Sequence, residues 1–143
     1  MARKLSKDEA LAFIAEEPAR TGKLATVRAN GAPHVAPVWV ALDGDQIVFT
    51  TGEHTLKGKA IRRDPRVAIS FDDERPPFTF VIVEGEARVS RDLDELLRWA
   101  TILGGRYMGD ELAEQFGRRN AVEGELLVHV NSTRITAYAD IAD

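Results

Sequence analysis

Apolar positions in "SKDEALAFIAEE" recur at helical spacing, with Leu11, Ile14 and Ala15 along one face. Ser6 stands three residues before Glu9, the spacing of a capping box, so the helix is expected to start there. The pattern then changes. "GKLATVRANGAPHVAPVWVALDGDQIVFTT" reads as three strands, with hairpin turns at Asn30-Gly31 and Asp43-Gly44 because both dipeptides accept positive φ. Thr55 caps a short predicted helix over residues 56 to 63. Asp64-Pro65 ends it, since a residue before proline avoids the α region. "RVAISFDD" and the longer "PPFTFVIVEGEARVS" follow as strands. Asp92 and Glu95 open a helix beginning "DLDELLRWATIL", which "GGRYMGD" is expected to interrupt before a further helical piece, "DELAEQFGRR". "GELLVHV" and "TRITAYAD" close the chain as two strands joined by a turn at Asn131-Ser132. About seven antiparallel strands with helices predict a single domain over residues 1–143, mainly β, forming a small barrel capped by helices.

Two strands break the usual alternation of a half-wetted sheet. In "APVWVAL", Val38, Val40 and Leu42 point one way, while Pro37, Trp39 and Ala41 point the other; both sets are apolar. "FTFVIV" repeats this, with Phe78, Phe80 and Ile82 opposite Thr79, Val81 and Val83. A closed barrel has one interior, so its outer face needs cover from helices, a second subunit or a flat apolar ligand.

Composition narrows the function. The chain is 44% hydrophobic and 29% charged, with a net charge of -4. That acidic balance argues against general nucleic-acid binding. The absence of cysteine removes thiol catalysis and thiolate metal sites, and fits a reducing cytoplasm. No stretch approaches the 18 or so apolar residues of a membrane span, and the first residues lack the apolar core of a signal peptide.

Against this background, Lys57, Lys59, Arg62 and Arg63 crowd into one short helix. Cations in a first helical turn oppose the helix dipole by roughly 0.3–1 kcal/mol each. Lys57 and Lys59 are unfavourable there unless an anion offsets them, and exposed N–H groups beside Thr55 add to the attraction. This is the argument for a phosphate site. Arg62 and Arg63 suit the helix C-terminus as solvated charges, with Asp64 as a possible partner. Thr50 and Thr51 end the strand that feeds the site; they read either as good strand formers or as hydroxyl ligands. His34, His54 and His129 share no metal-ligand spacing, and no metal is expected. His129, within an apolar strand, reads as a core histidine. "GGRYMG" lacks the Lys-Ser/Thr of a P-loop, and no G-x-S-x-G elbow occurs.

Three stretches, "GKLATVRANGAPHVAPVWVAL", "IVFTTGEHTLKGKAIRRDPRVAISF" and "VEGEARVS", occur in an order that resembles the pyridoxamine-phosphate-oxidase-like split β-barrels. More narrowly, the chain is similar to actinobacterial flavin/deazaflavin oxidoreductases that use coenzyme F420. The resemblance implies a homodimer with cofactor at the subunit interface. It places the ring against Pro37, Val38, Trp39, Thr50 and Thr51, and the phosphate on Lys57 with Thr55 and Lys59 nearby. Phe78 and Thr79 would border the ring from the same or the partner chain. Hydride would pass from reduced F420 to an unsaturated or quinone-like small molecule; FMN is the alternative cofactor, and a non-catalytic carrier of F420, flavin or haem the alternative role. No catalytic side chain is designated. Thr55 stands where relatives often carry arginine, and the ending "TRITAYADIAD" lacks the arginine-rich substrate motif of true pyridoxamine-phosphate oxidases. A polycarboxylate F420 tail would use an outer basic track, for which Lys59, Arg62 and Arg63 are candidates.

Overall fold

The computed structural model describes residues 1–143. Eight strands and four α-helices follow in the order β1 (Arg3–Lys4), α1 (Lys7–Ala15), β2 (Gly22–Val27), β3 (Pro33–Val38), β4 (Ala41–Asp43), β5 (Gln46–Gly52), α2 (Leu56–Arg63), β6 (Arg66–Asp73), β7 (Thr79–Ser90), α3 (Leu93–Met108), α4 (Ala113–Asn120) and β8 (Glu125–Ala139). All pairings are antiparallel, in the order β3-β2-β6-β7-β8-β5-β4, with β1 on the far end of β8.

The local signals place the helix starts. Ser6 and Glu9 form the capping box of α1, Thr55 caps α2, and Asp92 accepts from the N–H groups of Asp94 and Glu95. On α1, however, the buried face is Ala10, Phe13 and Ile14; Leu11 is half-buried and Ala15 is exposed.

Three expectations are corrected. The strand expected through "APVWVAL" divides into β3 and β4 at Trp39–Val40. These strands stand at opposite ends of the sheet order, so the two residues between them carry the chain across the seam of a split barrel. Side chains of helix α3 satisfy the backbone there. The Val40 N–H donates to Tyr107 Oη (3.0 Å), and the Val40 carbonyl accepts from Arg106 Nε (3.0 Å). Arg106 also donates to the carbonyls of Ile14 and Ala15 at the end of α1. Second, α3 continues through Gly104 and Gly105 and stops at Gly109, whose φ is 97°. These glycines admit α4: a Cβ on Gly104 would lie 2.7 Å from that of Phe116. Third, no turn forms at Asn131-Ser132. β8 is one strand paired with β7 along its length, and a bulge between Glu84 and Gly85 absorbs the irregularity.

The barrel interior is one cluster that includes Leu24, Val38, Val40, Phe49, Ile69, Phe71, Val81 and Val128. A second cluster, Ala41, Val48, Leu96, Trp99, Leu103 and Leu127, lies where α3 covers the outside of β5 and β8. The doubly apolar "APVWVAL" thus serves both: Val38 and Val40 face inward, while Ala41 and Trp39 pack with the second cluster. β7 differs. Val81 and Val83 are buried, but Phe80 and Ile82 are only half-buried and Phe78 is exposed.

Candidate functional site

The site begins at the corner between β5 and α2. A Cβ on Gly58 would collide with the Gly52 carbonyl oxygen, so glycine lets the first turn of α2 press onto the strand end. The Thr55 hydroxyl donates to that carbonyl (2.8 Å) and accepts from the Gly58 N–H (3.1 Å). Its one proton is therefore committed, and the buried Thr51 hydroxyl, 3.0 Å away, is the donor between the two threonines. Thr51 is buried, and Thr55, though exposed, has its hydroxyl tied into the corner.

Lys57 projects from this corner into an open cleft of about 190 Å³, lined also by Pro37, Val38, Trp39, Thr50, Leu103 and Asn120. Lys57 is half-buried and has no carboxylate within ion-pair distance among the salt bridges of the chain. Glu125, opposite Gly52 on β8, is close enough for the two charges to sense one another. Burial raises the Glu125 pKa, and Lys57 opposes that rise. One face of Trp39 is taken: Tyr107 stacks on it with centroids 5.2 Å apart and planes at 2°, and Phe116 tilts against it at 5.8 Å.

The structure therefore brings Pro37, Val38, Trp39, Thr50 and Lys57 together. Lys59 is exposed and outside the cleft lining. Thr79 lines a different groove with Arg3, Glu9 and Phe13, and its neighbour Phe78 projects to solvent, so within one chain neither joins the cleft. Arg62 and Arg63 are tied to backbone carbonyls, those of Glu53 (2.7 Å) and Val27 (2.6 Å). Asp64 pairs with Arg66 at 2.7 Å rather than with either of them.

The histidines stay apart. His129 is buried, bonded through Nε2 to Asp43 Oδ2 (3.0 Å) and edge-on to Trp99. An apolar wall, a hydroxyl, an amide and an uncompensated ammonium can hold a flat ring and an anionic group side by side.

The sequence pattern of the family described as pyridoxamine 5'-phosphate oxidase matches residues 6–136. The chain belongs to that family. Among solved structures, this family member is similar to the conserved hypothetical protein Rv2991 of Mycobacterium tuberculosis, with 26% identity and a TM-score of 0.82 over 95% of this chain and 86% of that one. It is similar to an F420 reductase, with 28% identity and a TM-score of 0.64 over 80% and 87% of the two chains. A FAD-binding protein from Mesorhizobium loti shares the fold, with 19% identity and a TM-score of 0.67 over 96% of each chain. No curated protein matches the sequence. The family member thus falls among flavin/deazaflavin oxidoreductase-like proteins. None of its helices is long and apolar enough to cross a membrane.

Leu103 and Asn120 line the cleft although the sequence gives no sign of them. Leu103 arrives because α3 packs directly on β5 and β8, and Asn120 because α4 packs on α3. Glu125 was equally hidden, since its position follows from its register opposite Gly52.

Proposed function

We propose that the protein is an F420-dependent reductase, one split-barrel domain over residues 1–143 acting as a cytoplasmic homodimer with cofactor at the subunit interface. The observation that carries this is the half-buried, unpaired Lys57 sharing one cleft with Thr50 and the wall of Pro37, Val38 and Trp39. The 28% identity to an F420 reductase supports it.

Lys57 and the first N–H groups of α2 bind the cofactor phosphate. The Trp39 wall and Val38 exclude water from one side of the ring, and the Thr50 hydroxyl addresses its polar periphery. When bound, reduced F420 supplies a hydride to an unsaturated or quinone-like acceptor. The residues fit such a group because the cation lies at the only end of the cleft built from a helix N-terminus, beside the apolar wall. Thr51, Thr55 and Gly58 contribute by fixing the corner from which Lys57 projects. Phe78 and Thr79 would reach a ring only from the partner subunit; the partly uncovered Phe80 and Ile82 on the outer face of β7 favour such a partner.

FMN-dependent oxidoreduction is the second reading, and one observation favours it. Arg62 and Arg63 each donate from one nitrogen to a backbone carbonyl, so Lys59 is the only member of the candidate track for a polycarboxylate tail whose side chain makes no hydrogen bond.

Fluorescence titration with F420 and with FMN, followed by oxidation of bound reduced F420 by menadione, tests the proposal. Binding of F420 with hydride transfer is expected. Lys57→Ala should weaken cofactor binding by roughly 10- to 100-fold, the range for a hydrogen bond to a charged group. Binding of FMN without F420 would transfer the role to FMN. Cofactor binding with no transfer to any acceptor would make the protein a carrier.

A further inference from the structure

Asn120 is the one cleft residue with an amide side chain. Tight packing between helices holds it in place. α3 and α4 meet at Gly104, opposite Phe116, and at Gly117, where a Cβ would collide with the Thr101 hydroxyl. Side chains on α3 make the neighbouring polar contacts: Thr101 donates to the Leu97 carbonyl, and Arg106 and Tyr107 hold the backbone of the seam and of residues 14, 15 and 20. None of these bonds uses Asn120. Asn120 is half-buried and lines the cleft, and its carboxamide is engaged by no other side chain in this group.

Its place along α4 identifies what it meets. Asn120 follows Phe116 by four residues, so both lie on one face of the helix. Phe116 touches Trp39. Asn120 therefore stands on the Trp39 side of the cleft, whereas Lys57 enters from α2. A carboxamide offers a donor pair and an acceptor side by side. A pyrimidinedione edge, with a ring N–H between two carbonyls, presents the complementary pattern. A phosphate offers acceptors only and would leave the amide oxygen unmatched.

We propose that Asn120 hydrogen-bonds the dione edge of the cofactor ring, so that the cleft reads the ring through α4 and the phosphate through α2. This rests on the cofactor site proposed above and adds a ring-reading residue to it.

Three probes separate the parts: lumiflavin, which is the ring without a phosphorylated side chain; FMN, which has both; and inorganic phosphate as a competitor against FMN. Kd values are measured by quenching of ring fluorescence for the native chain, Asn120→Leu, Asn120→Ser and Lys57→Ala. Circular dichroism melts show which variants are folded, and Asn120→Ser serves if the leucine variant is not. The Asn120 variants should raise Kd for lumiflavin and FMN by the same factor, roughly tenfold for loss of a hydrogen-bonded pair, and leave phosphate competition unchanged. Lys57→Ala should raise Kd for FMN alone and weaken phosphate competition. Folded Asn120 variants that bind lumiflavin as the native chain does would overturn the proposal. So would variants that lose FMN but not lumiflavin, since Asn120 would then serve the side chain. If the native chain binds F420 but neither flavin, the same variants are compared by their Kd for F420, whose ring carries the same dione edge; a native chain that binds none of the three would remove the parent site itself, an outcome distinct from silence of Asn120 alone.

Discussion

Glu125 shows how a single side chain can register the state of its surroundings. Burial holds its pKa above the ordinary carboxylate value, and Lys57 works against that shift. A carboxyl group whose folded pKa exceeds its unfolded one is disfavoured in the folded chain once ionised. The resulting cost is present at neutral pH and disappears as the pH falls below the unfolded value. Glu125→Gln should therefore raise the melting temperature at pH 7, and the gain should fade toward pH ~4. Parallel melts of the two proteins across that range check it; a gain that persists at low pH would mean that packing, not charge, was responsible. Asp64 and Asp73 are the opposite case. Arg66 and Arg75 hold their pKa values down to about 2, so what these pairs contribute is complete above the ordinary value of 3.8 and is lost as the pH falls through about 2. Both pairs are solvated, and neither is a main support of the fold. At this scale the sequence was informative where chemistry is local. Lys57 was legible because a cation in a first helical turn contradicts the dipole. Asn120 and Glu125 were not, because nothing within four residues of either marks it.

Among the elements, α2 came out of the sequence with both ends in place, since Thr55 and Asp64-Pro65 act on adjacent backbone. The failures share a cause: a distant partner outweighed a local signal. β7 supplies hydrogen bonds all along β8, which overrides the turn preference of Asn131-Ser132. Phe116 makes use of Gly104, so a pair of glycines that reads as a helix break is a helix contact. The division of β3 from β4 depends on Tyr107 and Arg106, more than sixty residues further along the chain. Tyr107 accepts from the Val40 N–H and donates to the Arg20 carbonyl (2.6 Å). Tyr107→Phe leaves that N–H and that carbonyl without the hydroxyl. The expected loss is about 1–3 kcal/mol of stability, read by urea denaturation with an unchanged m-value. A variant as stable as the native chain would show that solvent replaces the hydroxyl at the seam.

For the molecule as a whole, the barrel interior is closed by its own side chains, but the outside is covered unevenly. α3 shields β5 and β8, while the outer face of β7 keeps Phe80 and Ile82 half-exposed, with Phe80 tilted against Tyr138 at 5.9 Å. The two-faced pattern of "FTFVIV" was legible in the sequence; which structure covers it was not, because periodicity records apolarity and not its partner. If a second copy covers this face, the native protein sediments as a dimer, and Ile82→Lys should shift it to monomer and weaken cofactor binding, since half of each site would leave with the partner. A native monomer by analytical ultracentrifugation would assign the face another role.

The chain contains two tryptophans, and the fold has put them to unequal use. Trp99 lies buried on the inner face of α3 and is not among the residues that line the cleft, while Trp39 forms part of the cleft wall. Ultraviolet emission from this protein accordingly has a steady background and one informative component. A molecule that settles against the Trp39 wall should dim the second and spare the first, so that a colourless acceptor could be followed by eye of the protein itself, without a label or a coloured cofactor.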